Sequence, residues 1–149
     1  MGHKLENLET CIMAIHNTIA TVVEVSKVYE TPAWGFEGDV FYNCAITIHS
    51  HKSAQKILGK IIQLEKKLGR IRTNSEQYES RSIDIDILFY EDNQVITEAL
   101  TVPHPHMHER VFVLKPVCDI VPDFFHPVLK VTMKNLLREL VDDSTLFCN

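Results

Sequence analysis

Arg81-Ser82-Ile83-Asp84-Ile85-Asp86-Ile87-Leu88-Phe89-Tyr90 is the stretch whose reading decides the fold. β-Branched and aromatic residues fill most of its positions and neither Gly nor Pro interrupts it, so it predicts a strand. Side chains on a strand alternate between faces, which puts Ser82, Asp84, Asp86 and Leu88 on one side. Ile83, Ile85, Ile87 and Phe89 form the other, the expected core face. The two carboxylates then stand roughly 6.5–7 Å apart along the backbone. Like charges at that spacing repel, and a hard cation such as Mg²⁺ relieves the conflict by taking oxygen ligands from both. A solvated polar face with two incidental aspartates is the plainer alternative. The surroundings favour a site: Arg70, Arg72 and Arg81 precede the pair, and His104, His106, His108 and Arg110 follow it.

Composition bounds the rest. A chain of 149 residues predicts one domain with room for a core that needs no staples. Its 45% hydrophobic and 23% charged content is that of an ordinary soluble globule. A net charge of −5 argues against a general nucleic-acid or membrane binder, while leaving room for a local cationic pocket. No apolar run approaches the roughly 18 residues of a membrane span. Cys11, Cys44, Cys118 and Cys148 show no C-x-x-C spacing, and no secretory leader is expected. Free thiols in a reducing cytoplasm are preferred over disulfides.

Outward from the aspartates, the pattern alternates between two periods. Leu5, Leu8, Ile12, Ile15 and Ile19 recur at helical spacing. Thr21 to Tyr29 and Phe41 to His49 predict strands, separated by a loop of Pro and two Gly. A second helix runs from Ser53 as N-cap to Gly69, with Ile57, Leu58, Ile61, Ile62, Leu64 and Leu68 on its apolar face. Polar residues 70–80 form a loop before the aspartate strand. Beyond it lie an extended Val95-Ile96 piece, a Pro/His-rich loop, a short helix from Glu109 to Cys118, and a last helix over Met133 to Val141 capped by Thr132. The order α-β-β-α-β predicts an α+β sandwich, one strand short of the split βαββαβ arrangement with its antiparallel sheet.

Two further groups of residues carry chemistry. Trp34, Phe36, Phe41, Tyr42 and Tyr78 lie in or beside loops, where large rings suit stacking on a flat ligand, with the Asn43 amide nearby. Alternatively, Phe41 and Tyr42 only anchor a strand end. Thr101 to Arg110 carries three histidines at alternate positions. These admit a zinc reading, but phosphate contact is preferred, because the nearby arginines add fork-shaped, charge-assisted donors. Carboxylates for Mg²⁺ with clustered Arg and His are what phosphoryl transfer from a nucleotide requires. No G-x-x-x-x-G-K-[ST] loop is present, so a nucleotide site would be built from side chains.

R-S-I-D-I-D-I-L-F-Y followed by T-V-P-H-P-H-M-H-E-R-V-F-V-L closely resembles the 6-hydroxymethyl-7,8-dihydropterin pyrophosphokinase family. Y-E-T-P-A-W-G, F-Y-N, L-E-K-K-L-G-R-I-R and I-V-P-D-F-F-H-P-V-L extend the resemblance over nearly the whole chain. It implies transfer of pyrophosphate from ATP to the pterin hydroxymethyl group, releasing AMP, with two Mg²⁺ ions, in folate biosynthesis in the cytoplasm. The implied fold is a ferredoxin-like (βαββαβ-type) sandwich over residues 1–149, with extra C-terminal helices and without the family's first strand, which ends Gly-Ser-Asn. By position, Asp84 and Asp86 correspond to the metal ligands, and Arg70 and Arg81 to catalytic arginines. Arg72, Glu65, Ile87, Thr101, His104 and Arg110 correspond to nucleotide contacts. Thr31, Pro32, Trp34, Phe41, Asn43, Phe112 and Tyr78 correspond to the pterin pocket, Phe41 and Phe112 sandwiching the ring. Tyr78 stands where the family usually has tryptophan. The implied partners are small molecules only, with no nucleic acid and no membrane, in a monomer or a strand-mediated homo-oligomer. If the absent strand abolished turnover, the alternative would be a binding remnant for pterin or nucleotide.

Overall fold

The computed structural model describes residues 2–32, 40–72 and 83–148. Helix α1 spans Gly2–Thr18 and strand β1 Thr21–Val25, followed by β2 at Tyr29–Pro32, β3 at Val40–Asn43 and β4 at Ile46–His49. Then come α2 at Ala54–Arg72, β5 at Val95–Ile96, β6 at Thr101–Val102, a 3₁₀ turn at Met107–Glu109, α3 at Val111–Ile120 and α4 at Met133–Cys148. β1 pairs with β4, β2 with β3 and β5 with β6; the last two pairs are antiparallel. The mixture of helices and antiparallel pairs is the expected α+β class.

The chain divides into two compact units. One comprises Met1–Val23 and Ile48–Asp86, the other Glu24–Thr47 and Ile87–Asn149. In the first, α1 packs against α2. Cys11, Ile15 and Ile19 are buried, as are Ala54, Ile57, Ile61 and Leu64 on the helix that follows. The helical stripes foreseen from the sequence thus form the contact, except that Leu5 and Ile62 are exposed. Ser53 caps α2 as expected, its Oγ accepting the Lys56 N–H at 3.2 Å. The helix does not stop at Gly69, however, and continues to Arg72. One glycine inside a helix costs only about 1 kcal/mol relative to alanine, and good helix formers follow it.

In the second unit Met107, Leu114, Val117, Met133 and Leu136 form a buried cluster. Met107, Leu114 and Met133 are fully buried, each stabilising the unit by about 1.5–3 kcal/mol relative to an exposed side chain. Thr132 caps α4, its Oγ1 accepting the Asn135 N–H at 3.3 Å. The helix runs past Val141 to Cys148. Within this unit His126 is buried and sits edge-on to Phe89, ring centroids 5.6 Å apart.

The foreseen strand over 21–29 is split into β1 and β2, and that over 41–49 into β3 and β4. Ser26 explains the break. Its N–H donates to the Ala45 carbonyl at 2.8 Å, while its Oγ accepts the Ala45 N–H at 2.8 Å and donates to the Lys27 carbonyl at 2.7 Å. A hydroxyl serving two backbone groups replaces regular ladder bonds there.

The aspartate stretch departs further from expectation. Residues 83–89 join no ladder with another described strand. Other groups hold their backbone: the Glu65 carboxylate accepts the Ile85 N–H at 2.7 Å, and the Leu88 carbonyl accepts the His104 N–H at 3.0 Å. Even so, the period-two pattern survives from Ile83 to Ile87, with Asp84 and Asp86 exposed and the isoleucines half-buried. It ends at Leu88, foreseen on the aspartates' face: Leu88 and its neighbour Phe89 are both half-buried and pack against the buried cluster of the second unit, so exposure no longer alternates.

Candidate active site

Asp84 and Asp86 stand in the first unit outside any assigned strand, both exposed, with half-buried Ile85 between them. Glu65 lies in the same unit on α2, one residue beyond buried Leu64, and reaches the intervening peptide. Arg70 and Arg72 are in the last turn of α2. Arg81, Trp34, Phe36 and Tyr78 lie outside the described residues. Among the described residues no three His, Cys, Asp or Glu side chains converge on one point, so the carboxylate pair is the candidate cation site. Mg²⁺ is commonly held by one or two carboxylates, with waters and substrate phosphates completing its shell. Two exposed oxygen donors on alternate residues fit that demand.

The second unit holds the remaining candidates. The β2–β3 register sets Thr31 opposite Phe41 and Tyr29 opposite Asn43, so positions 29, 31, 41 and 43 share one face of the hairpin. Pro32 closes β2 opposite Val40. α3 packs against both strands, and Phe112 lies in its first turn, half-buried. Sequence reasoning missed the residue that joins hairpin to helix. Asp119 of α3 accepts the Tyr29 hydroxyl at 2.8 Å and the Lys27 N–H at 3.2 Å. This bond raises the Tyr29 phenol pKa above its ordinary value, with burial and the carboxylate's charge adding to it. Its partners are 90 and 92 residues away in sequence, so no local pattern could have found it.

The histidine segment is ordered by its own side chains. His104 Nδ1 accepts the His106 N–H at 3.2 Å, and His106 Nδ1 lies 3.3 Å from Glu109 Oε1. The rings of His104 and His106 are edge-to-face with centroids 6.4 Å apart. His106 faces Glu109, and no third donor converges with these rings among the described residues, so the zinc alternative gains no support. Arg110 caps α3, its carbonyl accepting the N–H groups of Val113 and Leu114 at 3.0 Å. Thr101, exposed, pairs with Ile96, and Ile87 is half-buried.

Residues 1–122 match the profile of the family described as 7,8-dihydro-6-hydroxymethylpterin-pyrophosphokinase (HPPK). An Aquifex aeolicus protein named 2-amino-4-hydroxy-6-hydroxymethyldihydropteridine pyrophosphokinase is 36% identical over 119 residues, covering 79% of this chain and 73% of that protein. A Bacillus subtilis protein of the same name is 36% identical over 122 residues, 80% of this chain and 72% of that one. The folic acid synthesis protein FOL1 of Dictyostelium discoideum is 35% identical over 141 residues, 94% of this chain, which spans only 21% of its length. The chain belongs to the 7,8-dihydro-6-hydroxymethylpterin-pyrophosphokinase family, as its sequence motifs indicated.

Proposed function

We propose that this protein is an ATP-dependent pyrophosphokinase that transfers pyrophosphate to the hydroxymethyl group of 6-hydroxymethyl-7,8-dihydropterin, yielding AMP and the pterin diphosphate in folate synthesis. The observation that carries this reading is the family match over residues 1–122, with relatives so named over more than two thirds of their length. Those names favour the catalytic reading over a binding-only remnant. The finer reading of the fold is one ferredoxin-like βαββαβ-type domain over residues 1–149, working in the cytoplasm on small molecules.

In this reading Asp84 and Asp86 would hold two Mg²⁺ ions, which would supply charge neutralisation for the phosphates and make the attacking hydroxyl more acidic. Glu65, Ile87 and Thr101 hold the nucleotide, and Arg72, His104 and Arg110 donate hydrogen bonds to its triphosphate. Arg70 and Arg81 neutralise charge that develops during transfer. Asn43 uses its amide to orient the pterin, Phe41 and Phe112 stack on it, and Thr31, Pro32, Trp34 and Tyr78 exclude water around it. The test is incubation with ATP, Mg²⁺ and 6-hydroxymethyl-7,8-dihydropterin. Release of AMP with pterin diphosphate is expected, and release of ADP, or no pterin-dependent turnover, would overturn the assignment.

A further inference from the structure

We infer that Glu65 is a positioning residue that sets the direction of the Asp84–Asp86 pair by binding the peptide between them. The inference rests on the proposed assignment of that pair as metal ligands. Glu65 Oε2 accepts the Ile85 N–H at 2.7 Å, the short length of a charge-assisted bond. That N–H belongs to the peptide joining Asp84 to Ile85, so the bond restrains rotation about the backbone bonds on either side. Exposure alternates from Ile83 to Ile87 as it does on an extended chain, where N–H groups point across the direction of the side chains. Holding the Ile85 N–H on α2 therefore restrains rotation of the segment about its own axis and keeps Asp84 and Asp86 on the exposed side that they share.

A neighbouring strand normally performs this task. Residues 83–89 join no ladder with a described strand, and the bond at the centre of the pair comes from a side chain. Its base is firm. Leu64 and Ile61, just before it on α2, are buried, and the helix packs on α1. The family resemblance gives position 65 a nucleotide contact, whereas the geometry gives its carboxylate a task that is independent of nucleotide.

Partners that orient metal ligands typically change affinity by about 10–100-fold when removed. Mn²⁺ alone, an EPR-visible stand-in for Mg²⁺, would be titrated into the wild type and into Glu65→Ala, Glu65→Gln, Asp84→Asn and Asp86→Asn variants. Glu65→Ala is expected to weaken Mn²⁺ binding within that range. Glu65→Gln, which keeps an acceptor oxygen but no charge, should restore most of it. The Ile85 amide should exchange slowly by NMR in the wild type and in Glu65→Gln, and rapidly in Glu65→Ala.

Unchanged Mn²⁺ affinity in Glu65→Ala overturns the inference, and so does a loss in Glu65→Gln equal to that in Glu65→Ala, which would make charge the agent. Fast exchange at Ile85 in the wild type overturns it even if Glu65→Ala does not fold. If Asp84→Asn and Asp86→Asn bind Mn²⁺ as the wild type does, the metal assignment itself fails. A defect confined to the Asp variants rejects the role of Glu65 alone.

Discussion

His126 Nδ1 accepts the backbone N–H of Leu129 at 3.1 Å. It accepts the Val128 N–H at the same distance, so the ring nitrogen caps the turn leading into α4. An atom that accepts two N–H groups carries no proton, which requires a neutral imidazole. Burial, and secondarily the nearby His108, holds the His126 pKa below its ordinary value. The same turn places Lys130 at a φ of 62°, with its N–H donating to the His126 carbonyl at 2.8 Å.

Stability should therefore fall on acidification. The unfolded chain protonates His126 near its ordinary value of 6.5, while the folded chain does so only at lower pH. Protons are then bound preferentially by the unfolded state, so stability rises with pH across that interval. This contribution is complete above pH 6.5 and is lost as pH falls through the folded pKa. In a His126→Asn variant the amide Oδ1 can accept the same N–H groups without titrating. Calorimetric melting temperatures should drop between neutral and acidic pH more for the wild type than for that variant.

Asp84→Ala and Asp86→Ala should each abolish most turnover while leaving the fold intact, because they remove exposed carboxylates and no core volume. AMP release and thermal melting measure the two effects. A variant that melts like the wild type and still produces AMP at the wild-type rate would remove that aspartate from the site.

Phe112→Ala should weaken pterin binding more than ATP binding. An aromatic stacking contact contributes about 0.5–1.5 kcal/mol beyond buried area, a loss of up to roughly tenfold in affinity. Calorimetric titration of each ligand separately decides it, and equal losses for both would place Phe112 elsewhere.

Asp119→Ala should destabilise the second unit by about 1–2 kcal/mol, because the Lys27 N–H and the Tyr29 hydroxyl lose their acceptor. Denaturant melts measure that loss. Ultraviolet titration of the tyrosines should show Tyr29 ionising at lower pH, since the hydrogen bond that raises its pKa is gone.

The sequence made the aspartate pair legible because exposure on a strand has a period of two, and Asp84 and Asp86 kept that period without a ladder to any described strand. Helix positions followed equally well from apolar spacing and from the caps at Ser53 and Thr132. What was not legible is long-range hydrogen bonding. Ser26 reads as an ordinary strand residue until Ala45 lies beside it, and Asp119 reads as a helix-surface charge until Tyr29 reaches it. His126 and Glu65 follow the same rule. Each is a polar residue whose task is set by a backbone N–H: one lies in a local turn, the other 20 residues away.

The Asp119 tether has a mechanical consequence. Phe112 and Asp119 ride on the same helix, about two turns apart, and Asp119 grips the first residue of the strand that carries Thr31. Hairpin and helix are thus riveted at one point: a single carboxylate of fixed covalent length holds the start of β2 to α3, so neither element can slide along the other without first breaking the bonds to Tyr29 and Lys27.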